Sequence, residues 1–464
     1  MAMMAIFIIG ADILLLWSLA VMSRFAIKYS NFNGMISNSV FKNTVLFLVL
    51  LMVSCGSLTP NPSPKERGAE TAYNKDIIIG ADNYNAYLPL LKDKKVGIVT
   101  NQTGIIKVAG DTGGIKNDKG ESIGEYEGAE HFQSVVDFLL GQKIYLQKIF
   151  APEHGFRGTA DAGEHVVDGK DTKTGLPIIS LYGDNKKPKP EQLAGLDILV
   201  FDLQDVGARF YTYISSLHYV MEACAENNIQ LIVLDRPNPN GGIVDGSILE
   251  KEYTSFVGMH PIPLLHGMTI GEYAKMINGE KWLNTSTSSG QGIQCNLTVI
   301  PCLNYKREMN YSLPVKPSPN LPNDQAINLY ASLCLFEGTN VSVGRGTEKQ
   351  FQIYGSPFLP KSDFSFTPVP NFGAKEPMHK GELCYGEDLS KIEKVKQLEL
   401  KWLIKAYNTT TDKNKFFNSF FTKLSGTKKL QQQIEAGTSE NEIRKSWEKG
   451  LNEFKVMRKK YLIY

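Results

Sequence analysis

The chain lacks the short signatures that would name a cofactor or a familiar nucleophile. No G-x-G-x-x-G follows its first predicted strand and no Walker loop is present, which argues against dinucleotide binding and P-loop chemistry. There is no H-E-x-x-H, and no G-x-S-x-G elbow for a serine hydrolase. Histidine is scarce, at 7 in 464 residues, and no cysteine has an evident histidine-bearing context. Basic runs interleaved with aromatics are absent and the net charge is only +2, so nothing points to nucleic acid or another polyanion. The six cysteines include no C-x-x-C pair, and setting Cys55 aside leaves an odd five. Of these, Cys295 and Cys302 could bridge in an oxidising compartment, whereas Cys224 falls in a predicted amphipathic helix and reads as core.

What is present is an ordinary globular composition, 42% hydrophobic and 21% charged, long enough for two or three domains. Residues 1–57 are excluded from the fold. Thr44–Gly56 is a short apolar run preceded by Lys42 and ending in Ser54-Cys55-Gly56, the layout of an export signal. It resembles a bacterial lipoprotein signal, with Met52-Val53-Ser54-Cys55 as the lipobox and Cys55 as the lipidated residue. The run is too short to span a bilayer. A second apolar stretch over residues 2–22 leads to the expectation that Met35 is the true start. Residues 58–73, rich in proline at their beginning, read as a tether.

From residue 74 to 299, short apolar strands alternate with helical patterns. Strands are expected at Lys95–Thr100, Ile144–Phe150, Pro177–Tyr182, Asp197–Asp202 and Gln230–Asp235, with helices at Ser134–Leu140, Tyr213–Glu226 and Thr269–Asn278. Thr269 and Glu272 form a capping box for the last of these. This alternation predicts an α/β fold: a parallel sheet with right-handed crossovers. Residues 300–464 change character and are read as a smaller α+β domain. Ile443, Trp447, Leu451, Phe454 and Met457 mark one face of a closing amphipathic helix.

Open α/β sheets bind ligands at the carboxyl ends of their strands. Four polar clusters sit there. They are Asn101 with Gln102; Glu153, His154 and Arg157; Asp202, Gln204, Asp205 and Arg209; and Asp235, Arg236 and Asn238. Glu153 follows an apolar strand that stops at Pro152, in a loop punctuated by Gly155 and Gly158, and a carboxylate there is a candidate general acid or base. Any one cluster also reads as structural, Asp235 and Arg236 as an ion pair closing a turn. Asp161, Glu164, His154 and His165 are metal-ligating residue types, but lack metal-site spacing, and no metal is expected. His260 and His266 read as satisfied loop histidines. Arg345, in the Gly-rich stretch Gly338–Glu348, either meets an anionic ligand group or is paired internally. Carboxylates, amides and guanidiniums without a cofactor motif suit a hydroxyl-rich ligand, and glycosidic cleavage is the chemistry that uses such carboxyl groups.

Several strings together resemble the NamZ-type exo-β-N-acetylmuramidases, glycoside hydrolase family 171. They are Val99–Gly104, Pro152–Gly158, Asp202–Tyr213, Leu234–Pro239, Pro317–Asn320, Glu337–Asn340, Gly344–Thr347 and Arg458–Tyr464. The resemblance covers about residues 76 to 464. It implies a Rossmann-like domain followed by a smaller C-terminal domain, with the active site in the cleft between them. It further implies release of N-acetylmuramic acid from the non-reducing ends of peptidoglycan fragments, without a cofactor. The family's catalytic glutamate maps onto Glu153, expected here as general acid. Asp202 or Asp205 is expected as the second carboxylate, with Glu164 behind them. Asn101, His154, Gln204, Asp235 and Arg236 are expected to contact substrate. One of Arg157, Arg209 and Arg345 is expected to bind the lactyl carboxylate of muramic acid. A lipid anchor at Cys55 would hold the protein outside the cytoplasmic membrane, at the periplasmic or outer-membrane face. Two other readings remain open: an anchored cell-wall glycan-binding protein without turnover, and an amidase or esterase acting on the same polymer.

Overall fold

Six short apolar segments dictate the centre of the molecule. In this computed structural model the described residues are 77–108, 112–116, 122–127, 131–153, 155–156, 168–283 and 293–464. Their main sheet comprises β1 (Lys95–Thr100), β2 (Tyr145–Ala151), β3 (Gly169–Lys170), β4 (Pro177–Ser180), β5 (Ile198–Asp202), β6 (Gln230–Leu234) and β7 (Leu297–Ile300). The order across the sheet is β7-β6-β5-β1-β2-β4-β3. All neighbours are parallel except β3, which runs antiparallel to β4 at the edge. Leaving β3 aside, this is the doubly wound order 3-2-1-4-5-6, and the topological switch point lies between β1 and β5. Thr100 pairs with Asp202 there, in the last register position of both strands.

These strands are continuous apolar runs because helices cover both faces of the sheet. β5 is buried at all five positions. Burying one such Val, Leu, Ile or Phe side chain contributes about 1.5–3 kcal/mol. Helices α1 (Val135–Gly141), α2 (Tyr213–Glu226) and α3 (Ile270–Gly279) fall within one residue of the sequence expectation. The Thr269–Glu272 capping box forms, with Thr269 accepting from the Glu272 N–H and Glu272 accepting from the Thr269 N–H.

The C-terminal part carries a three-stranded antiparallel sheet of β8 (Ile353–Ser356), β9 (Ser365–Phe366) and β10 (Cys384–Asp388), in the order β8-β10-β9. Its helices include α4 (Asp324–Leu333) and α5 (Glu440–Lys459). α5 buries Ile443, Trp447, Leu451 and Phe454, the expected face, on a capping box of Ser439 and Glu442. One hydrophobic core runs through both parts, joining Val99, Phe150 and Phe201 to Phe336, Phe351 and Trp447. Cys224, Cys295, Cys302, Cys334 and Cys384 are all buried and unpaired, so the Cys295–Cys302 bridge left open by the sequence does not form.

A charged pair closes the switch point. Asp202 is fully buried and takes two hydrogen bonds from Arg236, from Nε at 2.6 Å and Nη2 at 2.9 Å. Arg236 Nη2 also donates to the Ile105 carbonyl at 2.9 Å. Burial opposes the Arg236 charge, but the Asp202 carboxylate outweighs it and raises the guanidinium pKa. Removing one partner leaves a buried charge uncompensated. Arg236→Met is therefore expected to lower the unfolding free energy by about 3–5 kcal/mol in urea titrations. A change below about 1 kcal/mol would show that the pair is not structural.

Candidate functional site

Glu153 lies just beyond the end of β2, where Pro152 stops the strand, and the Gly155 N–H closes the turn onto the Pro152 carbonyl at 3.0 Å. Gly155 has φ +72°, a conformation that glycine adopts without strain. Two hydroxyls hold the carboxyl group. Tyr182, just past β4, donates to Oε1 at 3.1 Å, and Thr212, the residue before α2, donates to Oε2 at 2.9 Å. Segments following the carboxyl ends of three strands, β2, β4 and β5, therefore meet at one carboxyl.

This carboxyl faces a cavity of about 410 Å³. Its walls come from both parts of the chain: Tyr211, Thr212 and Tyr213 before and at the start of α2, Asn320 and Leu321 before α4, Glu337 and Arg345 beyond it. Glu153 and Glu337 are the carboxyl groups among the described residues lining it. The segment Pro317–Asn320 is fixed from the sheet side. The Pro317 carbonyl accepts from Gln102 Nε2 at 3.2 Å and from the Tyr211 hydroxyl at 2.8 Å. Asn320 is 1% exposed; its Nδ2 donates to the Gly373 carbonyl, while its Oδ1 is buried without a protein partner.

Arg345 sits between Gly344 and Gly346, both at φ +78°, so the chain turns sharply on either side of it. The turn presents the side chain over the Phe351 ring, 5.1 Å from its centroid. Its Nε donates to Glu337 Oε1 at 2.6 Å. Burial works against the Arg345 charge, but Glu337 outweighs it and raises the pKa. Spending only Nε on Glu337 leaves the Nη edge of a fixed fork for an anion.

The remaining sequence candidates build the frame behind this cavity instead of lining it. Asn101 is buried; its Nδ2 donates to the Tyr213 hydroxyl at 2.6 Å, and its Oδ1 accepts from the Thr103 N–H and hydroxyl. That closed turn occupies the place where a nucleotide-binding sheet keeps its glycine-rich loop open. Asp202 is committed to Arg236. Asp205 is buried and accepts from the Gly207 N–H at 2.7 Å, with His266 Nε2 at 3.4 Å. Gln204 donates to the Asp205 and Pro237 carbonyls. Asp235 accepts from the Thr269 and Tyr464 hydroxyls and the Gly271 N–H, and burial pushes its carboxyl up to about 6. Arg209 is wholly buried on the carbonyls of Ser247, Ile262 and Leu424, and burial lowers its pKa to about 9. It therefore does not offer an anion site in the cavity. His260 is buried between Tyr273, His218 and Trp282, a core histidine. His154, Arg157, Asp161, Glu164, His165 and Cys55 lie outside the described residues.

Sequence reasoning did not single out Tyr182, Thr212, Asn320 or Glu337 as site residues. The signal was nevertheless present. Tyr182 ends a predicted strand, and the other three lie in strings that carry the family resemblance.

Comparison with known proteins accords with this layout. Residues 96–325 match the family described as exo-beta-N-acetylmuramidase NamZ, N-terminal, and residues 328–464 match its C-terminal counterpart. The chain is 39% identical over 446 residues to the peptidoglycan beta-N-acetylmuramidase NamZ of Bacillus subtilis (strain 168), covering 91% of this chain and 100% of that protein. It is also similar to two crystal structures of DUF1343 family proteins from Bacteroides fragilis NCTC 9343. One is 43% identical with a TM-score of 0.73, the other 28% identical with a TM-score of 0.64; each match covers 84% of this chain and 99% of that one. Two adjoining domain matches and identity over nearly the whole length leave one assignment: the chain belongs to the NamZ exo-β-N-acetylmuramidase family.

Proposed function

We propose that this protein is an exo-acting glycosidase that releases N-acetylmuramic acid from the non-reducing ends of peptidoglycan fragments. Family membership supports the reaction class. The observation that carries the residue roles is the pairing, in one cavity, of Glu153 with the Arg345–Glu337 couple. At about 410 Å³ the cavity is at the small end of ligand pockets and suits one substituted sugar.

Glu153 is the general acid at the leaving oxygen. Hydroxyls both donate and accept, so Tyr182 and Thr212 hold the carboxyl in one orientation whether or not it carries the proton. Arg345 binds the lactyl carboxylate that distinguishes muramic acid from glucosamine, and Glu337 orients the guanidinium for it. Upstream of the fold, Cys55 carries the acyl anchor that keeps the enzyme on a membrane surface, where wall fragments are found.

The full-length protein is expected to release nitrophenol from 4-nitrophenyl β-N-acetylmuramide and not from the matching glucosaminide. Glu153→Gln is expected to lose at least 100-fold in kcat while still binding muramyl saccharides by calorimetry. Turnover by the variant equal to the parent would remove Glu153 from the acid role. Arg345→Met is expected to cut selectivity for muramide over glucosaminide about 10- to 100-fold, the worth of a charge-assisted hydrogen bond. Unchanged selectivity would place the carboxylate elsewhere. Cys55→Ser should move the protein from the membrane pellet to the soluble envelope fraction; a parent protein already soluble would rule out the anchor.

A further inference from the structure

A second cavity, of about 430 Å³, shares no lining residue with the one that holds Glu153. Its walls are the loop Ser247–Glu250, the short helix Lys429–Glu435 with the residues after it, and α5. The turn Leu424–Thr427 runs between the two cavities: Leu424 lines the first and Thr427 the second. That turn is fixed to the loop. Arg209 donates to the carbonyls of both Ser247 and Leu424, the Ser247 hydroxyl donates to the Ser425 carbonyl at 2.5 Å, and the Glu250 N–H donates to the Gly426 carbonyl at 2.8 Å.

Ile248 and Trp447 give this cavity an apolar side. Ile248 packs onto α5 at Gly450, where a Cβ would meet its Cγ1 at 2.8 Å. Trp447 is only 7% exposed, yet its indole N–H is open to solvent and has no partner among the described residues. An indole N–H in so buried a side chain ordinarily has an acceptor. The polar lining also has unused capacity. Gln433 gives Nε2 to the Ser446 hydroxyl at 3.2 Å and keeps Oε1. The side chains of Gln432 and Thr438 make no hydrogen bond among the described residues. The charged groups of the lining are Lys429 and Glu250, which pair with each other at 2.6 Å, so the cavity offers no net charge.

We propose that this second cavity is a non-catalytic binding site for an uncharged, N-acetylated sugar of the wall glycan. The apolar face of the pyranose rests on Ile248 and Trp447, an oxygen of the sugar accepts the indole N–H, and its other hydroxyls meet Gln432, Gln433 and Thr438. A pyranose has C–H bonds on its face and hydroxyls around its edge, which is the pattern of this lining. A charged ligand would have to break the Lys429–Glu250 pair to be neutralised. An extended peptide binds by adding to a strand edge, and no strand borders the cavity. The site takes no part in bond cleavage, because the Leu424–Thr427 turn separates it from Glu153. Its effect is to hold a glycan strand on the enzyme and so raise the effective concentration of chain ends. The uncharged character of the ligand follows from the lining alone; that the sugar is N-acetylated rests on the glycosidase reading.

The test is calorimetric titration of the full-length protein with N,N′-diacetylchitobiose, a neutral disaccharide that lacks the lactyl carboxylate. Binding by the parent is expected at millimolar sugar. Trp447→Phe removes the indole N–H and is expected to weaken binding about 3- to 10-fold, the worth of one neutral hydrogen bond. The double variant Gln432→Ala, Thr438→Ala guards against a folding defect, since neither side chain is bonded within the protein, and is expected to lose a similar factor. Both variants should turn over 4-nitrophenyl β-N-acetylmuramide as the parent does, and Arg345→Met should bind the disaccharide as the parent does. No binding by the parent, or unchanged affinity in the double variant, would overturn the site. Binding lost in Arg345→Met and kept in the double variant would move the sugar to the first cavity and overturn it equally. A parent that binds the disaccharide but does not cleave the muramide would strike the glycosidase reading and leave the second site standing.

Discussion

The arrangement of the site depends on one buried guanidinium. Among the described residues Arg209 has no carboxylate partner; its Nη1 and Nη2 donate to three backbone carbonyls, Ser247, Ile262 and Leu424. Leu424 is a cavity wall and comes from more than two hundred residues later in the chain. A charge buried on carbonyl dipoles is costly: burial lowers its pKa to about 9, its Nε has no partner among the described residues, and the carbonyls on Nη1 and Nη2 supply the compensation. Gly426 makes room for it, since a Cβ there would meet Arg209 Nη2 at 2.5 Å. The contact holds a C-terminal turn against the sheet, so the far wall of the cavity is placed by the same residue that closes the loop after β5.

Around that anchor, the polar groups divide by depth. The deepest, at the strand ends, are used up within the protein: Asp202 by Arg236, Asp235 by Thr269 and Tyr464, Asn101 by Tyr213 and Thr103. A shallower group at the cavity keeps spare capacity. Arg345, partly exposed, gives only its Nε to Glu337 and keeps its Nη edge. This gradient follows from desolvation. Groups that water cannot reach must be paired by the fold itself, while those at the cavity can be paired by a ligand.

That gradient also explains what the sequence could reveal. The parallel sheet was legible because β1, β2, β4, β5 and β6 are short, largely apolar runs, α3 because its capping residues and apolar spacing agree, and α5 because of its apolar spacing. Glu153 was legible because a proline stops its strand and glycine follows. Which other strand-end residues line the cavity was not legible. Asp202 and Asp205 occupy positions where a ligand site is expected, yet whether an acid faces a cavity or an arginine is set by partners far away in sequence, such as Arg236 and His266. Glu337 and Asn320 lie beyond the region that alternates strand and helix, and only the docking of the two parts brings them to Glu153. The small sheet of β8, β9 and β10 has strands too short for a clear period.

The five buried cysteines have a consequence for how the protein reaches this state. Folding hides every one of these thiols, and burial pushes Cys295 and Cys384 up to about 12, which removes their thiolate at neutral pH. In the unfolded chain the same groups have ordinary reactivity. Any oxidant met during folding therefore competes with the collapse of the core, and a wrong disulfide would trap a chain whose native form contains none among these residues. Once folded, these five thiols are out of reach of an oxidant; before that, only the speed of burial protects them.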